Sequence, residues 1–159
     1  MRARKVGDSA VRTSRLMLPT DANPRGYVHG GVIMRLMDET AGTVAIRHCR
    51  KQVVTASIDK MDFFAPVYVG NLLIINSSIN HAGKTSMEIG VRIEAEDLIT
   101  GRIVHTNSSY LVYVALADDG LPTPIPKVIP DTDDEKRRYG DAEERRKRRL
   151  QVLNRRSSR

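Results

Sequence analysis

Gly30-Gly31-Val32-Ile33-Met34-Arg35-Leu36-Met37-Asp38-Glu39-Thr40-Ala41-Gly42 decides how the rest of the chain is read. A Gly pair opens the stretch. Ile33, Met37, Ala41 and Val44 then fall on one helical stripe, with Met34 and Ala45 beside it. The pattern predicts a helix from Gly30 to His48, about 30 Å long at the usual rise per residue. Asp38 lies on the line of Met34, Ala41 and Ala45, a flank of the stripe rather than its solvated back. An ionised carboxylate among apolar side chains is costly without partners, so a chain that keeps one there has a use for it.

Outward from the helix the periodicity changes. Residues 9–18 read as an edge strand, and Pro19 to Tyr27 carries the Pro, Asp, Asn and Gly of a loop. After the helix, Val53–Ile58 and Leu72–Ile79 are strand candidates. Met87, Ile89, Val91, Ile93 and Ala95 alternate with polar or small residues. Val104, Thr106, Ser108, Tyr110, Val112, Val114 and Leu116 repeat the alternation over a longer run. Turns belong at Ala82-Gly83-Lys84 and Ile99-Thr100-Gly101. Strands in succession with no helix between them predict an antiparallel sheet, hence an α+β layer architecture with one long helix. Its open edges invite self-association.

Composition narrows the function classes. The 159 residues suffice for one domain with a real core. No run approaches the roughly 18 apolar residues of a membrane helix. The single cysteine, Cys49, excludes an intrachain disulfide and a thiolate zinc cluster, and a reducing, cytoplasmic setting is expected. His48, His81 and His105 show no ligand spacing, so no metal site is assigned. Residues 131–159 carry a net charge of +4, out of +7 for the whole chain. The body is therefore only mildly basic. This speaks against a nucleic-acid binder and suits an anionic ligand. The organisation expected is a basic tail over 1–8, one domain over 9–126 and a charged tail or helix over 127–159.

Several segments resemble, in order, the hotdog-fold acyl-CoA thioesterases of the acyl-CoA hydrolase branch. They are Asp21-Ala22-Asn23-Pro24-Arg25-Gly26, His29-Gly30-Gly31, Met37 to Gly42, Val53 to Phe63, Pro66-Val67 through Val69-Gly70, and Gly83-Lys84-Thr85-Ser86-Met87. The resemblance implies a five- to six-stranded antiparallel sheet wrapped around the central helix. It also implies hydrolysis of fatty acyl-CoA, with no cofactor beyond the CoA of the substrate, in a hexamer built as a trimer of dimers.

The same resemblance distributes the roles. Asp38 is the carboxylate that acts as general base or nucleophile, and Asn23 orients water or thioester from the other subunit of a dimer. Backbone amides near Gly30 and Gly31 polarise the carbonyl, where a helix start and its dipole stabilise an oxyanion. Thr55 lines the acyl site. His29, Lys60, Met61, Phe63, Lys84, Thr85 and Ser86 are expected around the substrate and its CoA, with His29 in a packing rather than a catalytic role. Two rivals share the fold: a non-catalytic acyl-CoA sensor, and a dehydratase or hydratase pairing His29 with Asp38.

Overall fold

A computed structural model describes residues 1–157. The chain runs β1 (Arg4–Lys5), β2 (Val11–Leu16), α1 (Gly30–Cys49), β3 (Gln52–Ile58), β4 (Asp62–Phe63), β5 (Asn71–Ala82), β6 (Ser86–Asp97), β7 (Ile103–Leu116), β8 (Val128–Ile129) and α2 (Asp133–Ser157). The main sheet has the order β2-β5-β6-β7-β3, antiparallel throughout, and β4 also pairs with β7. This is the hotdog layout of six antiparallel strands and one long central helix.

Helix α1 begins where His29, in an extended conformation, accepts the Gly31 amide on its ring nitrogen Nδ1 at 3.2 Å. It ends at Arg50, which turns left-handed at φ 56°. Between them Ile33, Met37, Ala41, Val44 and Ala45 are buried against Leu73, Ile75, Ile79, Ile89, Ile93 and Leu111 of the sheet. Each large aliphatic side chain so buried contributes about 1.5–3 kcal/mol.

Strand β7 departs from the expected facing. Its odd residues Leu111, Tyr113 and Ala115 are buried in the core, whereas the even residues Tyr110, Val112 and Val114 are half-buried on the other face. Both faces carry apolar side chains because α2 lies across the outer one, its own Ala142 fully buried. Alternation alone therefore could not choose the core face.

The N-terminal segment is tied in. Arg4–Lys5 pairs in parallel with Val128–Ile129, and the buried side chains of Val6 and Val128 both join the core. Arg4 Nη1 also donates to the Arg47 carbonyl in the last turn of α1 at 2.9 Å, where orphan carbonyls need donors. Strand β8 fits between Pro126 and Pro130 because it is only two residues long. Burial pushes the Cys49 thiol up, leaving the lone cysteine a packing residue.

Candidate active site

Asp38 sits half-buried in the middle of α1, facing β3 and β7. Its Oδ1 accepts from Thr55 Oγ1 at 2.8 Å and from Tyr113 Oη at 2.7 Å. The Tyr113 hydroxyl also lies 2.9 Å from the Asp38 backbone carbonyl. Among the described residues, no hydrogen bond reaches Oδ2. One carboxylate oxygen thus takes two hydroxyl donors and the other takes none among the described residues. Tyr113 is only 3% exposed, and burial, followed by its bond to Asp38, pushes its phenol well above the usual range. It stays protonated and can only donate to the carboxylate.

Thr55 is the last residue of β3 in regular register with β7 before an irregularity. The β3–β7 register shifts between Thr55 and Ser57, so Thr55 pairs with Tyr113 while Ser57 pairs with Val112. The Thr55–Tyr113 pairing places both on the same carboxylate oxygen.

Asn23 belongs to a loop fixed at its base by Asp21, whose carboxylate meets Arg15 at 3.0 Å and the Leu18 amide at 2.8 Å. Asn23 Oδ1 accepts from the Arg25 amide at 2.9 Å and the Tyr27 amide at 3.2 Å. Its side-chain NH₂ makes no hydrogen bond among the described residues. Within one chain the structure does not join Asn23 to Asp38: the first is bonded within its own loop, the second to β3 and β7.

At the start of α1 the two glycines differ. Gly31 gives its amide to His29, while the Gly30 amide has no acceptor among the described residues. His29 therefore caps the helix with Nδ1 unprotonated, turned toward the backbone. Phe63 lies against this end, its ring 3.5 Å from where a Gly30 Cβ would stand. Met61 is half-buried against the core, and Lys60 pairs with Asp62 at 3.0 Å in solvent. Lys84, Thr85 and Ser86 form the β5–β6 turn, where their backbone carbonyls bond Ile125, Ala115 and Gly83. Ser86 and Lys60 nevertheless line one cavity of about 780 Å³ between the sheet and α2. No three His, Cys, Asp or Glu side chains among the described residues converge as metal ligands do, and no described helix is long and apolar enough to cross a membrane.

The family model for the thioesterase superfamily matches residues 25–101. Protein VdlD of Helicobacter pylori is 44% identical over 143 residues, covering 87% of this chain and 82% of its own. The chain belongs to the thioesterase superfamily. The cytosolic acyl coenzyme A thioester hydrolase of Rattus norvegicus is 38% identical over 82% of this chain, which spans 35% of that longer protein. The crystal structure of an apo-hexameric acyl-CoA thioesterase superposes with a TM-score of 0.92 at 38% identity, covering 96% of this chain and 98% of the other. The acyl-CoA hydrolase of Staphylococcus aureus, solved with butyryl coenzyme A, coenzyme A and coenzyme A disulfide, gives 0.89 at 34% identity over 97% and 94%. That enzyme was also solved with Ala replacing an Asp, an Asn or a Thr; the Asn lies 15 positions before the Asp and the Thr 17 after it. In this thioesterase Asn23 lies 15 positions before Asp38, and Thr55 lies 17 after it.

Tyr113 and the α2 arginines escaped the sequence reading. The signal for Tyr113 was weak, since an aromatic residue in a strand is ordinarily packing. The register that pairs Thr55 with it leaves no mark in the residue types.

Proposed function

We propose that this thioesterase hydrolyses acyl-CoA to a free fatty acid and CoA, with Asp38 as its reactive carboxylate. One observation carries the reading: Oδ1 of Asp38 is held by Thr55 and Tyr113 while Oδ2 is open. Water that gives its proton to Oδ2 attacks the thioester carbon, and the carbonyl oxygen takes the negative charge. The Gly30 amide, at the positive end of α1, is the available donor for that oxyanion. Collapse of the tetrahedral species expels the CoA thiolate, which takes up the proton. Direct attack by Oδ2 on the same carbon, giving a mixed anhydride that water then cleaves, uses the same open oxygen.

In the dimer, Asn23 of one copy serves Asp38 of the other, its free NH₂ holding the water or the thioester oxygen. The matching spacing of the three residues altered in the Staphylococcus aureus enzyme supports this assignment. Lys60, Met61, Phe63, Lys84, Thr85 and Ser86 contact the CoA portion. The hexameric relative supports a trimer of dimers, and the cytosolic relative supports a cytoplasmic setting. The hydratase reading would need His29 beside Asp38, whereas His29 caps α1.

The test is thiol release from short, medium and long acyl-CoAs, with wild type and Asp38→Ala side by side. Turnover that collapses in the variant is expected, and it also gives the chain-length range. Binding without thiol release from any substrate would replace the hydrolase with a sensor.

A further inference from the structure

Asp59 leads the short segment that carries Lys60, Met61 and Phe63 from β3 to β4. It is held from two elements. On β7, the Tyr110 carbonyl accepts the Asp59 amide at 2.9 Å, and Ser109 Oγ donates to the Asp59 carbonyl at 3.1 Å. From α2, Arg149 Nη1 donates to the Asp59 carboxylate at 2.9 Å.

Arg149 is not a solvated arginine. Its side chain is 22% exposed, and its Nη2 donates to Glu88 Oε2 at 2.8 Å. Glu88, on β6, is only 2% exposed. Arg145, one turn earlier in α2, donates to the same carboxylate at 2.8 Å and stacks 3.6 Å over the Tyr110 ring. Asn80 Nδ2 adds a bond to Glu88 at 3.3 Å. Two guanidinium groups therefore meet two carboxylates in a largely dry cluster. A buried carboxylate that lost its cations would be strongly penalised, so α2 is pinned to the sheet here. Elsewhere on α2 the pairs lie in solvent, as at Arg137 with Asp141, and such pairs contribute little.

The far end of the segment is Phe63, packed against Gly30 at the start of α1. Between Asp59 and Phe63, Lys60 stands on the wall of the cavity that Arg149 itself helps to line.

We propose that Arg149 is a positioning residue for substrate binding. By holding Asp59 it fixes the 59–63 segment, keeping Phe63 at the helix start and Lys60 at the cavity wall. The basic C-terminal helix is thus coupled to the active site through one ion pair. The kinetic part of this inference rests on the acyl-CoA hydrolase reading; the structural part does not.

The test uses the full chain. Arg149→Ala is expected to raise KM for an acyl-CoA by about tenfold with kcat within about twofold, since binding geometry and not the carboxylate is disturbed. Amides of residues 59–64 should lose hydrogen-exchange protection. Arg149→Lys, which keeps the charge but loses the planar fork that reaches Asp59 and Glu88 through separate nitrogens, should fall between, and Arg137→Ala should match wild type. Asp59→Asn removes the same pair while leaving Glu88 its two arginines. It should reproduce the KM change and decides the matter if Arg149→Ala does not fold. Unchanged KM and unchanged protection over 59–64 in Asp59→Asn would overturn the proposal. Wild type without thiol release would overturn the hydrolase reading alone, because the exchange measurement still judges the coupling.

Discussion

The Tyr113 hydroxyl lies 2.7 Å from Asp38 Oδ1 and 2.9 Å from the Asp38 carbonyl, so its one proton is shared between the side chain and the backbone of the same residue. Thr55 donates to the same Oδ1. Two donors on one oxygen fix the plane of the carboxylate and leave Oδ2 without a hydrogen-bond partner among the described residues.

Tyr113→Phe removes one of those donors and keeps the ring. The expected outcome is a fall in kcat of about tenfold with KM nearly unchanged, since an interaction that orients the base acts in the transition state. Steady-state kinetics on one acyl-CoA reads the split. Stability should drop by about 1 kcal/mol for the lost hydrogen bond. A kcat equal to wild type would leave Thr55 as the sufficient orienting group.

Asn23→Ala and Asp38→Ala should each be inactive alone if the site is shared between subunits. Subunits mixed by reversible dissociation should recover about a quarter of wild-type activity, because half the dimers are mixed and each mixed dimer holds one intact site. Thiol release before and after mixing measures it. Two inactive variants that stay inactive after demonstrated subunit exchange would place Asn23 and Asp38 in the same chain's site.

What could be read in the sequence divides along physical lines. The α1 stripe and the alternation of β6 are one-dimensional signals, because an element with one buried face repeats its apolar residues at its own period. The helix and the order of the strands followed from them. Strand β7 broke the rule because both its faces are covered, so the half-buried even positions drew attention away from Tyr113. Asp38 was conspicuous as a carboxylate on an apolar flank. Thr55, 17 residues on, was marked only by the resemblance, and Tyr113, 75 residues on, not at all, since both meet Asp38 only through the register of β3 on β7. The same holds for Arg145 and Arg149: a charge-rich helix reads alike whether solvated or docked, and only Glu88 across the sheet distinguishes the two.

His48 makes stability depend on pH. Its Nε2 faces the Pro126 carbonyl at 2.9 Å, so that nitrogen carries the proton, while Nδ1 is buried without a partner. Burial pushes the imidazole below its ordinary value of 6.5, with Arg4 acting in the same direction and the Pro126 carbonyl and Asp8 opposing. The unfolded chain therefore takes up a proton, below 6.5, that the folded chain refuses. The His48 contribution is complete above that pH and is lost as the pH falls toward the folded value. His81 is lowered by burial as well and adds in the same sense. The melting temperature should drop on acidification below 6.5, and His48→Gln, which keeps a donor and does not titrate, should flatten part of the slope. An unchanged slope in that variant would assign the effect to other groups.

Gly90 is needed for lack of a side chain rather than for its backbone freedom. A Cβ there would stand 2.7 Å from Asn80 Nδ2 and 3.1 Å from its Oδ1. Asn80 is buried, and its Nδ2 is the group that bonds Glu88, so it has no slack to yield. Gly90→Ala should therefore cost about 1–3 kcal/mol by overpacking, seen as a lower denaturation midpoint. Because the displaced amide leaves Glu88 with one donor fewer, the amides around Arg145 in α2 should also exchange faster than in wild type. Removing the bulk with Asn80→Ala in the same chain should relieve the overpacking but not restore the Glu88 bond. In that double variant part of the stability should return while exchange in α2 stays fast. If the double variant instead recovers slow exchange, the arginines alone hold Glu88, and Asn80 serves only to fill the space over Gly90.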